Sequence, residues 1–174
     1  MPNLLDLYEA IKPKYTIFCD MDGVLVDFDK GYKDLTGKHT KHADLQDKNE
    51  FWGLLARSLK DKGLTEYDYW VNLPWMPDGQ TLWGYIKGYN PYILTAPSMD
   101  PGSKQGKKEW VERLDGIKKL YFKPAKFKPE YAGKNRILID DRQDTIDGWN
   151  AKGGIGIYHT SAANTIKQLK DLGL

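Results

Sequence analysis

Cysteine is almost missing from this chain: Cys19 is the only one in 174 residues. One thiol builds neither a disulfide framework nor a Cys-based zinc site. It also makes a reducing interior, hence the cytoplasm, the expected compartment. Histidine is scarce, with three residues, none at metal-ligand spacing. No apolar run approaches the roughly 18 residues of a membrane span. Met1 to Lys14 carries Asp6 and Glu9 and no continuous apolar core, so it is not expected to be a secretory signal. Neither sign of charge dominates: 26 basic residues face 24 acidic ones, a net charge of +2. That balance argues neither for nor against nucleic acid. Internal repeats and low-complexity tracts are absent as well.

What is plentiful is aromatic: six Trp, 11 Tyr and five Phe. The length suits one domain with a real core. Five short β-rich runs are legible: Tyr15 to Cys19, Pro91 to Thr95, Ile117 to Phe122, Arg136 to Asp140 and Gly154 to Tyr158. Helical patterns fall between them, from Pro77-Asp78 to Lys87, Ser103 to Leu114, Gln143 to Lys152 and Ser161 to Leu172. The alternation predicts an α/β fold, a doubly wound, Rossmann-like parallel sheet. Residues 28–75 break the alternation. They carry helix-like segments (Phe28 to Leu35, Asn49 to Lys60) joined by short irregular links, and eight of the aromatics. We read them as a small helical cap inserted after the first strand, over a core of residues 1–27 and 76–174.

Ligands of open parallel sheets bind at the carboxyl ends of strands, and there the polar clusters fall. Asp20 and Asp22 follow the first strand, with Gly23 allowing a sharp turn. Two carboxylates this close need a cation or a proton between them. Oxygen ligands without Cys or His favour Mg²⁺. Asp140-Asp141 ends another apolar strand and Thr95 a third. Turn capping alone explains either acidic pair, but not all three tips together.

Asp20-Met-Asp-Gly-Val24 after a strand resembles the first motif of the haloacid dehalogenase-like (HAD) phosphohydrolase superfamily. Thr95 looks like its second motif and Asp140-Asp141 its fourth. More narrowly, Asp20 to Phe28, with Leu138-Ile-Asp-Asp-Arg142, resembles the 5′(3′)-deoxyribonucleotidase family. The resemblance implies a Mg²⁺-dependent phosphatase acting on deoxyribonucleoside monophosphates. Asp20 would be the nucleophile and a metal ligand. Asp22 would be the general acid and base, its carbonyl a further ligand. Asp140 would complete the metal shell, with Asp141, and Asp144 beside it, one layer out. Thr95 and the Ala96 N–H would hold the phosphoryl group. Ala96 stands where such nucleotidases often have Ser.

The third motif calls for a lysine. Lys128, followed by Pro-Glu-Tyr-Ala132, is the first choice and Lys126 the alternative, although the spacing is longer than in close relatives. Lys107 and Lys108 are expected to be solvated. From Ser103 to Arg136 there are 11 basic and four acidic residues, a patch that would attract a phosphate-bearing substrate. Of the cap rings, Phe28 follows the motif-one turn and is the leading candidate to stack on a base, ahead of Trp52, Trp70 and Trp75. Packing of a small cap is the competing explanation for each.

Other motifs fail. Gly102 to Lys108 has three residues between its glycines where a phosphate loop has four. Gly153-Gly-Ile-Gly156 precedes a strand instead of opening a helix. Val24 sits where a calcium loop needs oxygen. Cys19 reads as a packed thiol. The partner expected is a small phosphate ester, with no membrane; nucleic acid is the lesser expectation. A small-metabolite phosphatase, a nucleic-acid 3′-phosphatase and a non-catalytic phospho-accepting or binding module stay open beside the nucleotidase.

Overall fold

The computed structural model describes residues 15–42 and 45–174. Met1 to Lys14, the segment expected not to be a secretory signal, lies outside the described residues. Five strands form one parallel sheet: β1 (Thr16–Cys19), β2 (Tyr92–Thr95), β3 (Lys119–Phe122), β4 (Arg136–Asp140) and β5 (Ile155–Tyr158). Their order is β3-β2-β1-β4-β5, so β1 is central, between β2 and β4. Strand side chains alternate between faces. Ile17, Cys19, Ile93, Ile137 and Ile139 enter the larger core, while Phe18, Leu94 and Leu138 enter a second one with Ile146 and Trp149. Burial on both faces is why these strands read as unbroken apolar runs.

Among the described residues seven α-helices accompany the sheet: α1 (Phe28–Thr36), α2 (Lys48–Asp61), α3 (Glu66–Val71), α4 (Gly79–Ile86), α5 (Pro101–Glu112), α6 (Gln143–Ala151) and α7 (Ala162–Asp171). Side-chain caps open several of them. Asp27 accepts from the Lys30 N–H, Asp100 from the Gly102 N–H with Pro101 behind it, and Ser161 from the Asn164 N–H. Helix α4 ends at Ile86. The chain then tightens into a 3-10 turn, Lys87–Tyr89, which Asn90 ends in the left-handed region at φ 49°. Among the described residues no helix is long and apolar enough to cross a membrane.

Helices α1 to α3 occupy the stretch between β1 and α4. Instead of irregular links, Glu66–Val71 is helical, started by a capping box. The Thr65 side chain accepts from the Asp68 N–H, and Asp68 accepts from the Thr65 N–H. Helix α3 lies close on α5 because two glycines leave room. A Cβ on Gly106 would come within 2.7 Å of the Trp70 Cβ, and one on Gly102 within 2.9 Å of the Tyr67 nitrogen. The glycines that suggested a phosphate loop therefore serve helix packing.

Candidate active site

The tips of β1, β2 and β4 are neighbours, so Asp20, Thr95 and Asp140 converge. Asp20 is buried; one of its carboxylate oxygens accepts from the Met21 N–H at 2.7 Å. The other lies 2.8 Å from the Lys128 ammonium. Lys128, presented by the 3-10 segment Ala125–Tyr131, is itself buried and reaches Asp140 at 2.7 Å. The second Asp140 oxygen accepts from the Arg142 N–H at 2.9 Å. Burial works against a charged Lys128, but Asp20 and Asp140 overcome it and hold the ammonium up at about 12. Lys126 is exposed and lies over the Phe127 ring. Of the two candidate lysines, only Lys128 touches the carboxylates.

No family model matches the chain, and no curated protein matches it. Solved structures do. A candidate β-phosphoglucomutase from Thermotoga maritima is 16% identical, with 91% of this chain and 99% of that chain aligned at a TM-score of 0.56. A HAD-like hydrolase from Streptococcus pneumoniae is 18% identical over 88% of this chain and 90% of that one, at 0.54. The L-2-haloacid dehalogenase of Xanthobacter autotrophicus is 17% identical over 81% and 75%, at 0.51. The fold is that of the HAD-like hydrolases. At these identities the likeness concerns the backbone, so what the site does rests on its own chemistry.

Within this HAD-like fold, Asp20, Asp140 and Asp141 each offer a carboxylate oxygen, all within 4.8 Å of one another. This all-oxygen set fits a hard divalent cation such as Mg²⁺. Two further observations favour a cation there. Burial, followed by the Asp20 charge, raises Asp140 well above the ordinary carboxyl range. The same two causes push Asp141 up to about 6. Asp141 was expected one layer out, but its carboxylate stands beside the other two, against Gly23. A Cβ on Gly23, at φ +77°, would fall 2.1 Å from an Asp141 oxygen. Asp144 is absent from the cluster: it is exposed and paired with Arg142.

Asp22 departs more sharply from expectation. Its partner is Lys107, which is fully buried and donates to both the Asp22 carboxylate and Thr95 Oγ1, the latter at 3.0 Å. The expectation of a solvated Lys107 is therefore wrong; the neighbouring Lys108 is exposed and near Glu112. A signal was present in the helix period. Ser103, Gly106, Lys107, Trp110 and Val111 form the buried face of α5, and Lys107 is the charged member of that stripe. The other Asp22 oxygen is buried without a hydrogen-bond partner. Burial raises Asp22, and Lys107 opposes the rise.

A cavity of 690 Å³ opens above the cluster. Asp20, Asp22, Asp141 and Lys128 form its polar floor, and Ala96, Pro97 and Ser98 one side. Phe28, Phe51, Trp52 and Trp70 form an aromatic wall. Phe28 is the hub of that wall, 5.2 Å from Trp70, 6.1 Å from Phe51 and 6.4 Å from Trp52 between ring centres. Trp52 is the exposed ring, with 38% of its surface accessible. Trp75 does not line the cavity. It packs on Trp110 at 4.7 Å, and its backbone bridges to Val26. His39, Thr40 and Lys41 also line the cavity. That strand of chain is tied to α1 by Asp29, which accepts from the Thr40 N–H and hydroxyl and contacts His39 Nδ1 at 2.6 Å. Burial opposes the charge on Asp29, yet the Thr40 and His39 hydrogen bonds bring it down to about 2.

Proposed function

We propose that the protein is a Mg²⁺-dependent phosphomonoesterase that removes phosphate from deoxyribonucleoside monophosphates through an aspartyl-phosphate. Residues 28–75 act as its cap, over a core of residues 1–27 and 76–174. The observation that carries this reading is one cavity with carboxylates and a buried lysine on its floor and four aromatic rings on its wall.

The Asp20 carboxylate attacks phosphorus in line with the leaving oxygen; the new O–P bond makes an aspartyl-phosphate as the ester P–O bond breaks. Asp22 gives that oxygen its proton, then takes one from the water that releases phosphate and frees Asp20. The Thr95 hydroxyl and the Ala96 N–H hold phosphoryl oxygens. Lys128 offsets the charge of Asp20 and of the incoming dianion, which is most of what phosphoryl transfer requires of a protein. Asp20, Asp140 and Asp141, with the Asp22 carbonyl, would hold the ion, which would supply charge neutralisation for the phosphoryl oxygens. The wall offers stacking area to a base, sequence-tolerant and worth roughly 1–3 kcal/mol per ring.

The test is a panel of esters with Mg²⁺: 5′- and 3′-deoxynucleotides, ribonucleotides, sugar phosphates and a small aryl phosphate. The expected order puts deoxynucleotides first. Asp20→Asn should abolish turnover while leaving the melting temperature close to that of the parent. Turnover retained by that variant would refute the nucleophile, and a preference for sugar phosphates would refute the nucleotide.

A further inference from the structure

Lysines are almost never fully buried unless paired, and Lys107 is paired in three directions. An ammonium has three N–H donors. One goes to the Asp22 carboxylate, at the turn after β1, and one to Thr95 Oγ1, at the tip of β2. The ammonium also lies 4.4 Å from the centre of the Trp70 ring, a cation–π contact with α3. Trp70 is held at its far edge too. Its indole N–H donates to a Glu66 oxygen at 2.7 Å, and the same oxygen accepts from the Ser98 hydroxyl. Ser98 follows β2 in the chain, and its N–H donates to the buried Ser103 on α5. Gly106, next to Lys107, lets α3 approach closely enough for the ring to reach the ammonium.

A lysine serving only as an anchor for α5 would need one partner. This one joins the two strand tips that flank the phosphoryl position to the ring at the back of the aromatic wall. We infer that Lys107 is a positioning residue: it holds the Asp22 carboxylate beside Thr95 and couples that placement to Trp70, so that the substrate-facing wall and the proton-transferring group are set together. The inference rests on the reading of Asp22 as acid and base. It adds that Trp70 acts on turnover through Lys107, not only on substrate affinity.

Two variants test it, Lys107→Met, which keeps length and removes the ammonium, and Trp70→Leu, which removes the ring. Each is assayed on a deoxynucleotide and on a small aryl phosphate with no base to stack, and the Lys107→Met protein is crystallised beside the parent. In the crystal, Asp22 is expected to turn away from Thr95. On the aryl phosphate, Lys107→Met should lower kcat about a hundredfold, the usual scale for a lost general acid–base group, with KM little changed. Trp70→Leu should lower kcat for the same ester about tenfold through misplacement. Asp22 unmoved in the Lys107→Met crystal would overturn the inference. So would a Trp70→Leu protein whose only defect is a higher KM for nucleotides. If Lys107→Met does not fold, Trp70→Leu decides alone. A parent protein that hydrolyses neither ester overturns the function proposed above, and the position of Asp22 in the variant crystal then decides this inference separately.

Discussion

Replacing Asp141 by Asn should stabilise the metal-free protein at neutral pH. In the folded chain Asp141 is raised from 3.8 to about 6, first by burial and then by the Asp20 charge. About two pH units at ~1.4 kcal/mol each give about 3 kcal/mol; because Asp141 is partly exposed, this is an upper figure. The sign follows from which form the fold prefers. A raised carboxyl favours folding most where it is protonated, below pH 4, and that contribution is lost as pH climbs through 6. Asp22 and Asp140 are raised as well and act in the same direction. Asn is neutral throughout and escapes the penalty. In chelator at pH 7.5, Asp141→Asn should melt above the parent by up to about 6–12 °C, at roughly 2–4 °C per kcal/mol for a chain of this size. At pH 4 the two should melt together. Adding Mg²⁺ at pH 7.5 should raise the parent by mass action and the variant less, since the variant has lost a ligand. Thermal melts across pH, with and without Mg²⁺, provide the measurement. A variant no more stable than the parent at pH 7.5 in chelator, or equally favoured at pH 4, would refute the crowding of carboxylates on which the metal site is argued.

Two further outcomes follow from packing. Gly106→Val adds branches where even a Cβ meets Trp70 and the Tyr67 carbonyl within 2.8 Å; a loss of about 1–3 kcal/mol is expected in denaturant titration, and an unchanged midpoint would deny the close approach of α3 to α5. Trp52→Ala removes the exposed ring of the wall, so KM for a deoxynucleotide should rise about five- to a hundredfold, on the stacking scale, while KM for an aryl phosphate stays put. Equal effects on both esters would assign that ring to packing alone.

Strands β1, β2 and β4 were legible because each is buried on both faces and runs into an acid or Thr, a pattern that needs no tertiary information. Which tips adjoin was not legible in spacing; it follows from the order that places β1 between β2 and β4. The α3 helix was missed because six residues carry too short a pattern, although Thr65 and Asp68 stood at capping-box spacing. Lys107 sits in a basic run that masks its place on the buried face of α5, and a lysine on such a face is a sharper signal than a lysine in a basic run. Phe28 lines the cavity, yet spacing could not reveal that five other rings crowd around it. Trp75 follows α3 in sequence but turns to Trp110 on α5, a choice made by helix packing.

The central position of β1 also governs when the site can exist. Asp20 is made early in synthesis, but β1's partners begin at Tyr92 and Arg136, and Lys128 arrives just before the second of them. Until Tyr92 is made β1 has two open edges, until Arg136 it has one, and until Lys128 Asp20 lacks its ammonium. Pairings this distant form slowly and leave apolar strands exposed while they wait. Recovery of the proposed phosphatase activity in a refolding experiment should thus trail the appearance of helical signal, making catalysis a reporter of strand docking.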